Sequence, residues 1–248
     1  MMVRNITDYD YSLDNTVNKI TFDSLSNKIK NSLYEFQRTG VEFGISKHGR
    51  FLLGDEMGVG KTIQSLAIAY LYRKDWPLLI VWPSSLKWTW RDEILKWLDH
   101  LQPEDIQVFQ KGMDVFNSYA LIHIISYNLA SKLKAEVENR EFGVVIADEA
   151  HYLKSRESKR SQTLVPIIMK AKRVLLLTGT PILARPYELY NLVRIIRPDV
   201  FRDFKQYGYR YWNPKMVYLV STGTEMQIWT SYIFLLATEW WLGGWKKF

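Results

Sequence analysis

FLLGDEMGVGKT, residues 51–62, is the stretch of sequence that decides the fold. It starts with a short apolar run, and a glycine-rich turn then leads into an apolar segment with helical spacing at 63–72. Gly58 and Gly60 permit the tight bend in which successive backbone N–H groups point at one phosphate group. The order of strand, glycine-rich loop and helix therefore predicts a phosphate-binding loop, and the N-terminus of the helix favours the anion.

Two side chains at the end of this loop suit a nucleotide. Lys61 can reach the β- and γ-phosphates, and the hydroxyl of Thr62 can bind Mg²⁺. The strict pattern of such loops has glycine at the position that Asp55 occupies here, so a literal pattern match fails. The alternative is a glycine-rich turn before a helix with a surface lysine. The loop residues predicted to bind nucleotide are Asp55, Met57, Gly58, Val59, Gly60, Lys61 and Thr62.

Composition restricts the class of protein. The 248 residues can form one large α/β domain or two small ones, and a hydrophobic fraction of 47% supports a sizeable core. The formal net charge of +7 suits a polyanionic partner without identifying it. The chain has no cysteine, which excludes disulfides and thiolate metal sites. Its polar N-terminus has no secretion-signal pattern, so we do not expect export.

Predicted strands alternate with predicted helices between residues 50 and 197. Uninterrupted apolar runs at 77–82, 144–147 and 174–177 favour strands buried on both faces, as in a parallel sheet. Weaker patterns predict strands at 107–110 and 120–126, and helices at about 29–48, after Ser84 or Ser85, and at about 128–138, 157–171 and 186–196. This alternation predicts an α/β fold, a doubly wound parallel sheet with helices on both faces.

Polar residues follow the ends of the predicted strands. Asp55, Ser84, Ser126, Asp148 and Thr178 all stand at such positions. Because ligands bind at the carboxyl edge of doubly wound sheets, we expect these residues to share one rim.

A second motif, after the phosphate-binding loop, is the acidic sequence Asp148-Glu149-Ala150-His151. Two acids at the tip of an apolar strand are costly unless they meet a cation. Asp148 can hold the Mg²⁺ ion shared with Thr62, and Glu149 can orient and deprotonate an attacking water, which makes Glu149 and Lys61 the predicted catalytic pair. His151 is predicted to couple neighbouring loops. An acidic turn after a strand is the alternative interpretation.

A third strand-end loop, Thr178-Gly179-Thr180-Pro181, adds two hydroxyls. With the phosphate loop and the acid pair, it resembles the motor core of superfamily-two helicases, in the order of motifs I, II and III. Gln37 stands on a helix upstream, and its amide can hydrogen-bond adenine in both directions. Its place before the loop resembles that of the adenine-reading glutamine of this family, although an exposed helical glutamine is the alternative.

Longer stretches narrow the resemblance. Residues 36–41 and 54–64 are similar to Snf-type ATPases, which translocate on double-stranded DNA. The stretches at 76–81, 83–86, 151–156 and 177–181 resemble the annealing helicases, which remodel stalled forks, and especially the subgroup with a Ran-binding-protein-type zinc finger. The resemblance implies a RecA-like lobe of a P-loop NTPase, ATP and Mg²⁺ as cofactors, duplex or forked DNA as partner, a nuclear location, and an arginine finger from a second motor lobe.

Candidate DNA contacts lie beside the predicted strand ends. Hydroxyls, an ammonium and a helix N-terminus after the second strand can bind phosphates without reading sequence. A basic run beginning at residue 154 can do the same, although a solvated helix face explains it equally well. The predicted contacts are Ser84, Ser85, Lys87, Ser126, Tyr127, Lys154 and Arg156.

Three segments are expected: a mobile polar leader at 1–27, the helicase ATP-binding lobe at 28–214, and a divergent tryptophan-rich tail at 215–248 outside the fold. The tail's apolar stretch at 228–245 approaches the length of a membrane span, but its polar residues weaken that assignment. We expect a truncated or mis-spliced product that lacks the second lobe. An apolar docking segment is the next interpretation, and a membrane anchor is the last.

Three functions remain open from the sequence. The first is the ATPase core of a DNA translocase or annealing helicase in DNA repair and fork restart. The second is a catalytically weak module that binds nucleotide and DNA without the second lobe. The third, a membrane-associated nucleotide-binding protein, depends on the tail.

Overall fold

The computed structural model describes residues 20–84, 87–179 and 186–211, together with two short strands farther on. The central feature is a six-stranded sheet in the order β1-β6-β5-β2-β4-β3, with every neighbouring pair parallel. The strands are β1 (Arg50–Leu53), β2 (Leu78–Trp82), β3 (Ile106–Val108), β4 (Ile122–Ser126), β5 (Val144–Ala147) and β6 (Arg173–Leu177). The predicted doubly wound parallel sheet is therefore confirmed.

Helices connect the strands and cover both faces. They are α1 (Asn27–Ser32), α2 (Glu35–Ser46), α3 (Lys61–Leu71), α4 (Lys87–Trp97), α5 (Tyr127–Lys132), α6 (Lys134–Asn139), α7 (Lys159–Lys170), α8 (Pro186–Ile196) and α9 (Phe204–Tyr211). Neighbouring parallel strands run in the same direction, so the chain must return to the other end of the sheet between them, usually through a helix.

Alternation along the strands builds one core on each face of the sheet. In β2, Leu78 and Ile80 pack with α3 and α4 on one side, whereas Leu79 and Val81 pack with α5 and α7 on the other. All five β2 residues are buried, as are all five of β6. Burial on both faces explains why these strands are uninterrupted apolar runs in the sequence.

Arg50 links the edge strand β1 to α7 and α8 through hydrogen bonds. Its buried guanidinium donates to the carbonyl oxygens of Ile195 at 2.6 Å and Ile196 at 3.2 Å, and also to that of Ala171. These carbonyls lie at the C-terminal ends of α8 and α7, where helical carbonyls have no partner within the helix. The cation thus satisfies groups that burial would otherwise leave unpaired.

Several boundaries differ from the sequence prediction. The helix expected at 128–138 is two helices, α5 and α6, because the backbone at Leu133 leaves the helical region (φ −94°, ψ 39°). The third strand ends at Val108 rather than at 110. Leu25, which falls within the predicted leader, is buried in the core, and Ser26 caps α1. The packed part of the chain therefore begins before residue 28.

The predicted tail lies mostly outside the described residues. Its described parts are β7 (Met216–Val217) and β8 (Met226–Gln227), which pair in antiparallel fashion. The apolar stretch at 228–245 lies outside the described residues. Among the helices that the structure describes, none has the length and apolar character needed to cross a bilayer.

Candidate active site

The loop between β1 and α3 has the backbone expected for phosphate binding. Gly58 (φ 82°) and Gly60 (φ 79°) both lie in the left-handed region, and Gly60 directly precedes the first residue of α3. A β-carbon on Gly60 would approach the Nε2 atom of Gln37 to 2.3 Å, whereas one on Gly58 would meet nothing within 4 Å. The left-handed backbone therefore favours glycine at position 60, and a β-carbon there would also have to displace the amide end of the Gln37 side chain.

Lys61 is held over this loop by backbone oxygens. Its Nζ atom donates to the carbonyl oxygens of Asp55 at 3.0 Å and Glu56 at 2.7 Å. An ammonium has three donors, so one donor remains for a phosphate oxygen. Burial raises the pKa of the Asp55 carboxyl, although a hydrogen bond from Gln64 and the charge of Lys61 act in the opposite direction.

Gln37 joins the loop to the start of α2. Its Oε1 accepts from the backbone N–H of Tyr34 at 3.0 Å, and its Nε2 donates to the carbonyl oxygen of Val59 at 2.9 Å. The structure thus brings Gln37 to the nucleotide loop, as the sequence predicts, and shows it supporting the loop. Its contact with adenine stays a prediction, for which the amide keeps one further N–H and one lone pair.

Asp148, the residue after β5, is the best-anchored acid of the site. Its Oδ1 accepts from the backbone N–H of Glu149 at 2.9 Å, and its Oδ2 accepts from the indole N–H of Trp90 at 3.0 Å. Its backbone oxygen accepts from the hydroxyl of Tyr127 at 2.8 Å. Burial raises the pKa of Asp148, against the hydrogen bonds from Trp90 and Glu149 and the charge of Lys61, which lower it.

Trp90 belongs to the site but is not among the residues predicted from the sequence. Helical spacing could have indicated that its side chain is buried, because Trp90 precedes the buried residues Ile94 and Leu98 by one and two turns. Nothing in that spacing, however, indicates that the indole reaches the acid pair.

Glu149 connects the acid pair with the loop after β6. Its Oε2 lies 3.2 Å from the Nδ1 atom of His151, which in turn lies 3.4 Å from the hydroxyl oxygen of Thr178. The backbone N–H of Gly179 donates to Glu149 Oε2 at 3.5 Å. Glu149 has a left-handed backbone (φ 50°), a strained conformation for a residue with a β-carbon. The third loop residue named from the sequence, Thr180, lies outside the described residues.

The third loop also contacts the phosphate loop. A β-carbon on Gly179 would lie 2.6 Å from Cγ of Met57 and 3.5 Å from Nζ of Lys61. The phosphate loop, the acid pair and the third loop therefore meet within van der Waals distance at one edge of the sheet. The expectation of a shared rim agrees with this geometry for Asp55, Asp148 and Thr178.

The donor set of this edge fits Mg²⁺. The Asp148 carboxylate and the Thr62 hydroxyl are hard oxygen ligands, which Mg²⁺ prefers, and Mg²⁺ commonly takes one or two protein ligands with the rest from phosphate and water. Within the described part of the chain, no group of three or more acidic, histidine or cysteine residues that could hold a metal ion occurs.

Two of the predicted DNA contacts are corrected by the structure. Ser126 is buried, and its hydroxyl accepts from the backbone N–H of Leu129 at the start of α5. Tyr127 is 2% exposed, and its hydroxyl is bound to the backbone of Asp148. Because both side chains are buried and bonded within the domain, they cannot contact DNA phosphates.

The other predicted DNA contacts remain near the surface or lie outside the description. Ser84 is exposed, whereas Ser85 and the side chain of Lys87 are not described. Lys154 forms a 3.1 Å ion pair with Glu188 on α8 and keeps about half of its side chain exposed.

Arg156 packs against aromatic rings from α8 and α9. Its guanidinium lies 4.1 Å from the ring centre of Phe204 and 5.4 Å from that of Tyr190. The basic segment after the acid pair is therefore not a freely solvated face, since it also binds these helices.

Comparisons with known proteins identify a family and relatives of this chain. A family model described as the SNF2-related domain matches residues 36–228. The chain is 44% identical over 201 residues to the DNA annealing helicase and endonuclease ZRANB3 of Bos taurus, covering 79% of this chain and 19% of that protein. It is 41% identical over 199 residues to the SWI/SNF-related matrix-associated actin-dependent regulator of chromatin subfamily A-like protein 1 of Xenopus tropicalis, covering 80% and 21%.

A solved structure shares the fold. The SWI2/SNF2 ATPase core of Sulfolobus solfataricus, in complex with dsDNA, has a TM-score of 0.62 and 22% sequence identity to this chain. The match covers 74% of this chain and 39% of that chain. The present chain spans about a fifth of the length of the curated relatives that it matches.

Proposed function

This chain belongs to the SNF2-related domain family, and from that premise we propose that it is the first motor lobe of an ATP-dependent DNA translocase of the annealing-helicase type. The proposed reaction is hydrolysis of the β–γ bond of ATP, coupled to movement on duplex or forked DNA in repair and fork restart. The relative named an annealing helicase, at 44% identity, supports this choice of branch. A nuclear location follows from the same proposal.

The observation that carries the proposal is the convergence at Gly179. Its backbone N–H is bonded to Glu149, and a β-carbon built on it would lie 2.6 Å from Cγ of Met57 and 3.5 Å from Nζ of Lys61. A lobe that hydrolyses ATP must bring the phosphate, the water-activating acid and a sensing loop to one point. Here three segments that are far apart in sequence supply these parts within contact distance.

Each residue has a distinct proposed role. Lys61 neutralises charge on the β- and γ-phosphates, and Glu149 orients the water and takes its proton as the water oxygen attacks the γ-phosphorus. His151 contacts both Glu149 and Thr178, and its proposed role is to couple the position of the acid pair to that of the third loop. When bound by Asp148 and Thr62, Mg²⁺ would neutralise the charge that develops on the phosphate oxygens.

The proposed DNA surface is the rim next to this site. Ser84 and the start of α4 offer hydroxyl and backbone donors, which suit phosphate binding without sequence preference. Lys154 joins them in the proposal because its exposed ion pair with Glu188 is of the kind worth only about 0–1 kcal/mol, so a DNA phosphate can replace the carboxylate.

The test measures nucleotide binding and turnover separately. The purified chain should bind a fluorescent N-methylanthraniloyl-ATP in the presence of Mg²⁺, and Lys61→Ala should weaken that binding. Phosphate release is then measured with and without forked duplex DNA. A chain that binds neither the nucleotide nor DNA would refute the proposed function.

A second candidate is a nucleotide- and DNA-binding module with weak turnover. The observation that favours it is that the cation placed at the described phosphate loop is Lys61, a residue of the lobe itself. Motors of this kind gain about 10³–10⁵ in rate from an arginine finger, which the family takes from a second lobe. Nucleotide binding with little DNA-stimulated turnover would favour this candidate.

A further inference from the structure

Trp90 forms a contact that links two parts of the molecule. It is 3% exposed, lies on α4, and donates its indole N–H to Oδ2 of Asp148 at 3.0 Å. Fifty-eight residues separate the two along the chain. A buried tryptophan usually finds a hydrogen-bond partner, but the partner here is the acid that the proposed function gives to the metal.

The carboxylate of Asp148 is fixed by donors from two directions. One donor is the backbone N–H of Glu149, which belongs to the same turn, and the other is the Trp90 indole, which belongs to a different layer of the fold. Each carboxylate oxygen has two acceptor sites. One site on each oxygen is therefore used for orientation, and one remains free to face a cation.

Among the described residues, the indole bond is the hydrogen bond that connects this carboxylate to the helix next to the proposed DNA surface. Trp90 lies one turn after Lys87, the first residue of α4, and the exposed Ser84 precedes that helix. A shift of α4 along its axis would change the indole position and with it the direction of Oδ2.

We propose that Trp90 is a positioning residue that orients Asp148 for a divalent cation and ties the metal site to α4. The inference rests on the proposed function, because it takes Asp148 as a metal ligand. Outer residues that hold a ligand in place typically change metal affinity by about 10- to 100-fold when they are altered.

Helix α4 contains a matched control. Trp97 also donates its indole N–H to a carboxylate, that of Glu93 at 2.7 Å, but Glu93 lies on the same helix and outside the site. Trp90→Phe and Trp97→Phe therefore each remove one indole and one indole–carboxylate hydrogen bond. Only the first of them removes a bond to Asp148.

The experiment titrates Mg²⁺ against the full chain at a fixed concentration of N-methylanthraniloyl-ATP. In Trp90→Phe, the Mg²⁺ concentration for half-maximal binding should rise by about 10-fold or more, while binding without Mg²⁺ stays at the wild-type level. Trp97→Phe should match wild type in both. Equal Mg²⁺ dependence in Trp90→Phe and wild type would overturn the inference and leave the proposed function standing.

A second measurement does not need the variant to fold. In wild-type protein labelled with ¹⁵N at the indole nitrogens, the Trp90 resonance, assigned by through-bond experiments, should shift when Mg²⁺ is added to the nucleotide-bound chain, and the Trp97 resonance should not. A stationary Trp90 resonance beside clear Mg²⁺-dependent nucleotide binding would overturn the inference. Absence of any nucleotide binding by wild type would instead refute the proposed function, on which the inference depends.

Discussion

His123 should make the stability of the domain depend on pH. The residue lies in β4 with no exposed surface, and its ring stacks on Phe116 at 5.4 Å between centres and meets the edge of Phe142 at 5.2 Å. Its Nε2 is 3.1 Å from the carbonyl oxygen of Asn117, while its buried Nδ1 has no hydrogen-bond partner among the described residues. Burial lowers the pKa of His123 from 6.5 to about 4.

The direction and size of the effect follow from proton binding. Between pH 6.5 and about 4 the unfolded chain binds a proton at this position and the native chain does not, so the free energy of unfolding falls as the pH falls. With these two pKa values, the loss between pH 7 and pH 5 is about 2 kcal/mol from His123 alone.

Urea unfolding of wild type and His123→Phe at pH 7 and pH 5 measures this loss. Phenylalanine keeps the aromatic packing without the titrating group, so the drop in unfolding free energy between the two pH values should be about 2 kcal/mol smaller in the variant. His100→Phe is the matched control for replacing an imidazole by a phenyl ring, because His100 is exposed. If His123→Phe loses as much stability as wild type does between pH 7 and pH 5, the reasoning is refuted.

Four further predictions concern the site. Lys61→Ala should weaken Mg²⁺-ATP binding by about 2 kcal/mol, because a charge-assisted contact is lost, and calorimetry that finds wild-type affinity would remove Lys61 from the phosphate site. Gly60→Ala should weaken nucleotide binding more than Gly58→Ala does. Both variants carry a backbone strain of about 1–2 kcal/mol, but the β-carbon at position 60 would also displace the amide end of Gln37, whereas that at position 58 meets no atom within 4 Å. Equal losses in the two variants would contradict the packing argument. The purified chain should release phosphate slowly even with saturating forked DNA, so Glu149→Gln should change turnover little; several turnovers per second, abolished by Glu149→Gln, would show that the chain completes its own site. Duplex binding should fall steeply with salt, and Lys154→Ala should flatten that dependence by about one phosphate contact, whereas an unchanged slope would leave Lys154 as a partner of Glu188 only.

The parts of the site that could be predicted from sequence are those set by neighbouring residues. A phosphate loop needs glycines at left-handed positions and a lysine at the start of a helix, and Gly58, Gly60 and Lys61 satisfy these needs within one short stretch. The acid pair could be recognised because two carboxylates at the end of an apolar strand require a cation. In both cases, phosphate binding and cation binding, the local sequence pattern indicates the function of the residues without any knowledge of how the helices and strands pack.

Burial of individual polar side chains could not be predicted in the same way. Ser126 ends β4 and Tyr127 follows it, much as Ser84 follows β2, yet Ser126 caps α5 and Tyr127 supports Asp148, while Ser84 stays exposed. The sequence shows that a residue stands at the end of a strand. Whether a helix covers that residue depends on the path that the chain takes after the strand. His123 is a similar case, because nothing near it in sequence indicates the aromatic rings that enclose it.

The sequence by itself determined the order of elements, the parallel sheet with two buried faces, and the chemical types gathered at the carboxyl edge. These follow from periodicity and from backbone requirements that act over a few residues. Only the tertiary structure decided that Trp90 reaches Asp148, that Gly179 donates to Glu149, and that Arg156 packs on α8 and α9. Such contacts join residues tens of positions apart, and their geometry depends on how whole helices lie against the sheet.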